Sequence, residues 1–396
     1  MNQRGNFTGL ILLTGKDRPG IFQSLLDALK DFSISIIDIE QVVIRGRLIL
    51  TVLISLDPAH KAAIVNDLEK VEQKLNVDIA VDFTDEPREE PTPVQAHVVL
   101  IGQRITPKSV NDLAKAILSF GANIDGIKRN SREPVTAIEF DLSSTTPIAI
   151  QSLQRQLVEV AGKFGLDLAV QAAGLTRRAK RLVIMDMDST LIQQEVIDLL
   201  AIHAGKSEEV KEITKLAMNG EIEFKEALAK RVQLLAGLPE TIFEKVRSEL
   251  TLSPGAESLI ETLHKIGHKV GVVSGGFIEV IEPLLKKLNI DYSKANSLEI
   301  VDGKLTGKLV GAVVDRLGKQ KALEEFAARE KIPLEQTVAI GDGANDIDML
   351  ATAGLGVAYN AKPSVREAAD VMITTPHLDT VLYLDRKSTR LNSSHT

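Results

Sequence analysis

The sequence predicts an α/β chain in three parts: two small βαββαβ modules in tandem, then a doubly wound parallel sheet with a helical insertion. Three observations carry this. Residues up to about 171 repeat one order of strand-like and helix-like segments. From Leu182 onward buried strands alternate with helices. From about Gln193 to Leu252 the patterns are helical, with no convincing strand. At 396 residues the chain is too long for one ordinary core, which agrees with several domains.

In the first module (1–84), Phe7 to Thr14 reads as a strand, and GKDRPG (15–20) makes a turn that opens a helix through about Asp31. Strands near 34–45 and 47–55 turn at Arg45-Gly46-Arg47, and a helix (58–74) and a strand (77–83) complete the unit. The second module (95–171) has strand 95–102, helix 106–120, strands near 123–130 and 134–142, helix 147–162 and strand 166–171. Gly121, Pro134 and Pro147 punctuate its joints. Each unit has the order of a sheet with two helices on one face, the split βαβ arrangement. Between them DEPREEPTPV (85–94), acidic and with three prolines, reads as a spacer. AAGLTRRAK (172–180) reads as a basic hinge.

The third part (181–385) begins with the strand RLVIM. After the insertion, HKVGVV (268–273) is a second buried strand, and LEIVDGKLTGKLV (298–310) a hairpin turned at Asp302-Gly303. Helix 318–330 leads to strand 336–340, and a last strand is expected near 355–359. The tail RKSTRLNSSHT (386–396) is polar and aperiodic, and reads as a disordered segment or a cloning or read-through remnant.

Composition narrows the chemistry. The hydrophobic (44%) and charged (26%) fractions are those of a soluble globular protein, and a net charge of −7 argues against nucleic acid or an anionic membrane as partner. No apolar run approaches about 18 residues, and MNQRGNFTGL lacks the shape of a signal peptide, so a cytoplasmic setting is expected. With no cysteine, disulfides, thiolate metal sites and cysteine nucleophiles are excluded. His264 and His268 stand at helical i, i+4 spacing, but LHKIGHK lacks the glutamate of a zinc-protease helix, and Gly267 suggests that the helix ends there. They are read as structural or solvated histidines.

Ligands of a parallel α/β sheet bind beyond the carboxyl ends of its strands. Three such ends carry distinctive residues: DMDST (186–190), SGG (274–276) and GDGAND (341–346). Asp186 and Asp188 stand two apart, and carboxylates about 5 Å apart repel by about 3 kcal/mol at an effective dielectric near 20. A Mg²⁺ held by oxygen ligands reverses that sign and lets a phosphoryl dianion approach. Asp186 and Asp342 are then the side-chain ligands, a backbone carbonyl can be the third, and the cation keeps Asp186 ionised as a nucleophile. Ser274 and the amides of Gly275 and Gly276 can donate to phosphoryl oxygens. Lys319, in RLGKQKAL, can neutralise charge on the equatorial oxygens, with Lys321 as the alternative. Asp188 is placed to protonate a leaving alkoxide and then to activate water. Each motif alone is more simply a strand-end turn or an ordinary loop; three together, in this order, point to phosphoryl transfer.

These residues resemble the haloacid dehalogenase superfamily of aspartate-nucleophile phosphotransferases, through DxDx[TV] at Asp186–Thr190, the serine at Ser274, the lysine at Lys319 and GDGxxD at Gly341–Asp346. DMDSTL and SGGF bring the chain closer still to the branch that hydrolyses L-phosphoserine. The resemblance covers about 181–384 and implies a Rossmann-like core with a helical cap (about 193–252). It implies Asp188 as the metal ligand through its backbone carbonyl. In the cap it implies Glu195 for the substrate ammonium and Arg231 for the carboxylate, with Met218 and Phe224 as apolar contacts. Asn345 matches a substrate or phosphate contact, and Asp346 an outer acid that orients Lys319 or metal-bound waters. Alternatives are another small phosphate monoester as substrate, or an amino-acid sensor whose phosphatase part is vestigial.

The tandem modules resemble ACT domains, ferredoxin-like units that bind amino acids. The match is DRPG, Asp17, Arg18, Pro19 and Gly20, whose amides can receive a carboxylate. In the second module GQRITP (102–107) replaces that turn. The resemblance implies a homodimer through these modules and feedback by L-serine.

Overall fold

The computed structural model describes residues 7–85, 92–131, 134–174, 181–218, 221–361, 365 and 369–384. Most of the spacer (86–91), part of the hinge (175–180) and the tail lie outside the described residues. The chain divides into two compact units, Met1–Pro91 and Thr92–Thr396.

The first unit is the expected βαββαβ module: β1 (Thr8–Lys16), α1 (Ile21–Leu29), β2 (Ser35–Ile44), β3 (Arg47–Ser55), α2 (Lys61–Leu75) and β4 (Asp78–Thr84). The antiparallel sheet runs β2-β3-β1-β4. Alternation on β1 and β3 turns Ile11, Leu13, Leu48, Leu50, Val52 and Ile54 inward against Ile21, Leu25 and Leu29 of α1 and Ile64 and Leu68 of α2. Gly20 stands before α1 in the left-handed region (φ 91°), which glycine enters without strain.

The second unit holds β5 (Val94–Gly102), α3 (Pro107–Ser119), β6 (Asn123–Arg129), β7 (Thr136–Ser143), α4 (Ile150–Gly162) and β8 (Asp167–Ala172), and continues into the third part of the sequence. There β9 (Leu182–Met185) leads to α5 (Val196–Ala204), α6 (Ser207–Met218), α7 (Phe224–Gln233) and α8 (Ile242–Glu249), the helical insertion. Then come α9 (Ala256–Lys265), β10 (Lys269–Phe277), α10 (Ile278–Lys287), β11 (Tyr292–Val301), β12 (Lys304–Val310), α11 (Arg316–Arg329), β13 (Thr337–Gly341), α12 (Ile347–Thr352), β14 (Gly356–Tyr359) and β15 (Val371–Ile373). The β11–β12 turn has Asp302 (φ 50°) and Gly303 (φ 71°) both left-handed, as a two-residue hairpin requires. Gly267 (φ 80°) follows the end of α9, and His264 meets Asp291 at 3.1 Å, a structural role.

All these strands form one sheet, ordered β12-β11-β10-β9-β13-β14-β15-β8-β5-β7-β6. β9 pairs in parallel with β10 on one side and with β13 on the other. Strand order reverses at β9, which opens the crevice that α/β enzymes use, beyond its carboxyl end. The insertion leaves and rejoins the core through a narrow neck, where Ile192 and Leu252 form an antiparallel bridge and Gln193 N–H donates to the Thr251 carbonyl at 2.9 Å.

Four features differ from the sequence reading. The strand expected to begin at 298 starts at Tyr292, and β15 follows the strand expected to be the last. The strand expected at 268–273 runs on to Phe277, with Ser274–Gly276 as an irregularity inside it. The second module also shares its sheet with the core: β8 pairs with β15 at Ala169↔Val371. Val99, Ile101, Ala137 and Ala169 of the module join a core cluster with Ile373, Leu378 and Leu384. Asp167 locks the seam. Its carboxylate accepts from the amides of Thr374 (2.9 Å) and Thr375 (3.1 Å) and from both hydroxyls, at 2.7 and 3.1 Å. With 2% of its surface exposed, Asp167 has no water to replace these donors. Asp167→Ala is therefore expected to destabilise the second unit by about 2–3 kcal/mol, since hydrogen bonds to a buried charge are worth that much. A urea midpoint equal to wild type would refute the seam's importance.

Candidate active site

The carboxyl ends of β9, β10 and β13 bring the expected motifs together. Asp186 follows β9, its amide donating to the Ile340 carbonyl of β13 at 2.9 Å. Its Oδ1 accepts from the Met187 amide at 2.7 Å, and its Oδ2 meets Lys319 Nζ at 2.7 Å. Lys319 Nζ also reaches Asp346 Oδ1 at 2.6 Å, with lysine and acid both fully buried. Lys321, the alternative, is exposed. α11 delivers Lys319 inward because Asp315 caps its first turn, accepting from the Gly318 amide at 2.8 Å.

Asp188 is held from both sides: its Oδ1 accepts from the Val196 amide at 2.8 Å, and its Oδ2 from the Ser274 hydroxyl at 3.2 Å. Ser274 in turn accepts from the Gly276 amide at 2.8 Å. A β-carbon on Gly276 would stand 2.9 Å from Asp188 Oδ2 and 3.0 Å from Ser274 Oγ, so a side chain here would displace one of them. Asp342 Oδ1 accepts from the Thr190 hydroxyl at 3.0 Å, and Asp346 Oδ2 from the Gly343 amide at 3.0 Å. Asn345 lies half-buried on the same loop.

Electrostatics set the site's demand. Burial and then the Asp346 charge push the Asp186 carboxyl well above its ordinary range, against the pull of Lys319. Asp188 is raised to about 7 by burial and then by Glu195. Asp342 is raised to about 6 by burial and then by Asp346. Burial works against the Lys319 charge, but Asp186 and Asp346 outweigh it and hold the ammonium above its usual value. One lysine thus faces an excess of carboxylate. Oxygens of Asp186, Asp342 and Asp346 lie within 4.8 Å of one another, an all-oxygen cluster that can hold a metal ion.

The cap residues stand over this crevice. Glu195 precedes α5 and accepts from the Ser189 hydroxyl at 2.8 Å. Ser189 sits at φ 56°, an uncommon place for a residue with a side chain, at the turn between β9 and the helical insertion. Arg231, on α7, is half-buried; its NH1 reaches the Thr214 hydroxyl at 3.4 Å, and its Nε is buried without a hydrogen-bond partner among the described residues. Burial lowers its pKa, partly offset by Asp198 and Glu195. Phe224 would lie 3.8 Å from a β-carbon on Gly275, which places it against the Ser274–Gly276 turn. Lys225 beside it pairs with Asp315 at 3.1 Å, linking cap to core. Met218 closes α6, and its side chain lies outside the described residues.

The sequence reading gave no role to Ser189, Thr190, Thr214 or Asp198. Ser189 and Thr190 stood inside the DMDST motif, where their hydroxyls were a visible signal. Thr214 and Asp198 offered none, because only the folded cap brings them near Arg231. The Asp17–Gly20 turn lies in the first unit, where Gly20 provides no side-chain cap to α1. At the matching turn of the second module Thr106 caps α3 with its own hydroxyl, and Pro107 removes a donor.

The haloacid dehalogenase-like hydrolase family matches residues 183–351, and ACT domains match 8–82 and 95–171. The phosphoserine phosphatase of Streptomyces coelicolor is 49% identical over 383 residues, covering 95% of this chain and 92% of its own. That of Mycobacterium tuberculosis is 46% identical over 377 residues, with the same coverage. A solved phosphoserine phosphatase, described as a phospho-aspartyl intermediate analogue, is 46% identical, covers 52% of this chain and 99% of its own, and superposes with a TM-score of 0.50. With relatives this similar over nearly its whole length and the expected motifs at three adjacent strand ends, the chain belongs to the phosphoserine phosphatases of the haloacid dehalogenase-like hydrolase family.

Proposed function

We propose that this enzyme hydrolyses L-phosphoserine with Asp186 as nucleophile and Asp188 as proton carrier. The observation that carries the reading is the buried Asp186–Lys319–Asp346 chain, with Asp188, two residues from Asp186, hydrogen-bonded to Ser274. Asp186 attacks phosphorus in line; its O–P bond forms as the bond to the serine oxygen breaks. Asp188 gives its proton to that oxygen, and serine leaves. Water then attacks the aspartyl-phosphate and loses its proton to Asp188, and the P–O bond to Asp186 breaks. A carboxyl held at about 7 serves both steps near neutral pH. Ser274, Gly275, Gly276, Lys319 and Asn345 receive the phosphoryl oxygens, and Glu195 and Arg231 read the ammonium and carboxylate.

The metal is Mg²⁺ in this reading, because the donors are hard carboxylate oxygens and no thiolate exists in the chain. Asp186, Asp342 and the Asp188 carbonyl would hold it. Asp346, bound to Lys319 and to the Gly343 amide, is the outer acid that orients Lys319. Bound there, Mg²⁺ supplies positive charge that keeps Asp186 ionised and offsets the phosphoryl dianion.

The enzyme performs the last step of serine synthesis by the phosphorylated route, in the cytoplasm. Among the described residues no helix is long and apolar enough to cross a membrane. Serine acts as effector at Asp17–Gly20, where the amides at the start of α1 have no side-chain cap. The first module makes a homodimer through β2, an edge strand on which Ile36, Ile39, Val42, Val43 and Ile44 are exposed.

Three outcomes are expected. Asp186→Asn abolishes phosphate release from L-phosphoserine with an unchanged circular dichroism spectrum; a turnover rate near wild type would end the nucleophile assignment. Arg231→Ala lowers kcat/KM for L-phosphoserine by about 10- to 100-fold and much less for a phosphate ester without a carboxylate, because only the former leaves a charged group unpaired. Equal losses on both would count against the clamp.

The third outcome concerns pH. Asp188 and Asp342 have folded values, about 7 and about 6, above the unfolded value near 4. Without a cation the stability linked to these protons is complete below about pH 4 and is lost as pH rises through about 6 to 7. Mg²⁺ held by Asp186 and Asp342 would compete with protons at those carboxylates, so its effect on Tm should be larger near pH 8 than near pH 5. An equal shift at both values would place the cation elsewhere.

A further inference from the structure

The residues that leave the ladder at the site are pinned by a side chain to which the reaction above gives no part. β10 pairs with β11 at Val273↔Lys294 and again at Phe277↔Asn296. β10 advances four residues (273 to 277) while β11 advances two (294 to 296), so Ser274, Gly275 and Gly276 bulge from the sheet. Backbone groups in such a bulge lose their ladder partners and must find others.

Asn296 supplies one. Its Nδ2 donates to the Gly275 carbonyl at 2.7 Å, and its Oδ1 accepts from the Val314 amide at 2.8 Å. The side chain is 2% exposed, so water does not compete. Val314 immediately precedes Asp315, the cap of α11, and Lys319 lies in the first turn of that helix. One buried amide therefore ties the Ser274–Gly276 backbone to the root of the helix that delivers Lys319.

We propose that Asn296 is a positioning residue for phosphoryl binding, fixing the Gly275 peptide, and with it the donors of Ser274–Gly276, relative to Lys319. The proposal rests on the reading of Ser274–Gly276 and Lys319 as phosphoryl ligands. The chemistry of the amide is specific. An aliphatic side chain of the same shape would strand a buried carbonyl and a buried N–H. A carboxylate would keep the acceptor for Val314, lose the donor to Gly275 and place negative charge against that carbonyl. Either change lets the glycine turn shift while the cap residues remain in place.

Asn296→Asp and Asn296→Ser are compared with wild type in the full chain with Mg²⁺. The measurements are thermal unfolding, kinetics on L-phosphoserine and on p-nitrophenyl phosphate, and inhibition by inorganic phosphate. In variants folded at the assay temperature, kcat/KM is expected to fall by about 10- to 100-fold on both esters. Phosphate inhibition should weaken in parallel, and the ratio between the two substrates should stay at its wild-type value because the cap is unchanged. Folded variants with a lower Tm but wild-type kinetics and phosphate inhibition would make Asn296 a merely structural amide and overturn the proposal. So would a loss confined to L-phosphoserine, which would place the effect in the cap. If Asn296→Asp fails to fold, Asn296→Ser decides by the same criteria. Wild-type protein that releases no phosphate from L-phosphoserine would overturn the reading of the site itself, and the proposal with it.

Discussion

The buried pair of Lys319 with Asp186, extended to Asp346, is the interaction on which the site depends. An ammonium and two carboxylates with almost no exposed surface are expensive to desolvate, and only close mutual contact makes such a group tolerable. Removing Lys319 would leave two buried carboxylates side by side with no counter-charge. The arrangement also fixes three chain segments together, since Asp186 ends β9, Lys319 comes from α11 and Asp346 follows β13. Evolution has placed this costly cluster at the point where the strand order reverses, the place in the sheet most open to a ligand.

Around that cluster the hydrogen bonds form a hierarchy. Thr190 steers Asp342, Ser274 and the Val196 amide hold Asp188, and Ser189 holds Glu195. Ser189 and Thr190 follow Asp188 directly, so the DMDST segment orients Asp342 on one side and Glu195 on the other. The strained backbone at Ser189 is the bend that makes both possible. The helical insertion and β9 are in this sense linked through neighbouring residues, and in the proposed reading that link joins substrate selection to the reacting atoms.

The motifs were legible as a set: each alone reads as an ordinary turn or loop, but three stand in order at the ends of buried strands. The βαββαβ order was legible from hydrophobic alternation punctuated by glycine and proline. The union of the second module with the core was not. It depends on β15, three residues long, too short to show a period, and on Asp167, an acid in a strand whose partners lie some two hundred residues away. The bulge at Ser274–Gly276 was hidden for a similar reason: a register shift is a property of two strands, and only β11 reveals it. Asn296 lies before the hairpin expected at 298–310 and gave no signal, because both its partners are backbone atoms of other segments.

The central claim is that the phosphoryl group passes through a covalent bond to Asp186. Acid quench of the wild-type chain during turnover of L-phosphoserine labelled in its phosphate, followed by peptide mapping, tests it most directly. The account predicts acid-stable, base-labile label on the peptide that contains RLVIMDMDSTLI, located on Asp186 and absent from Asp186→Asn. Rapid turnover with no protein-bound label under conditions that trap an acyl-phosphate, or label on another residue, would contradict it.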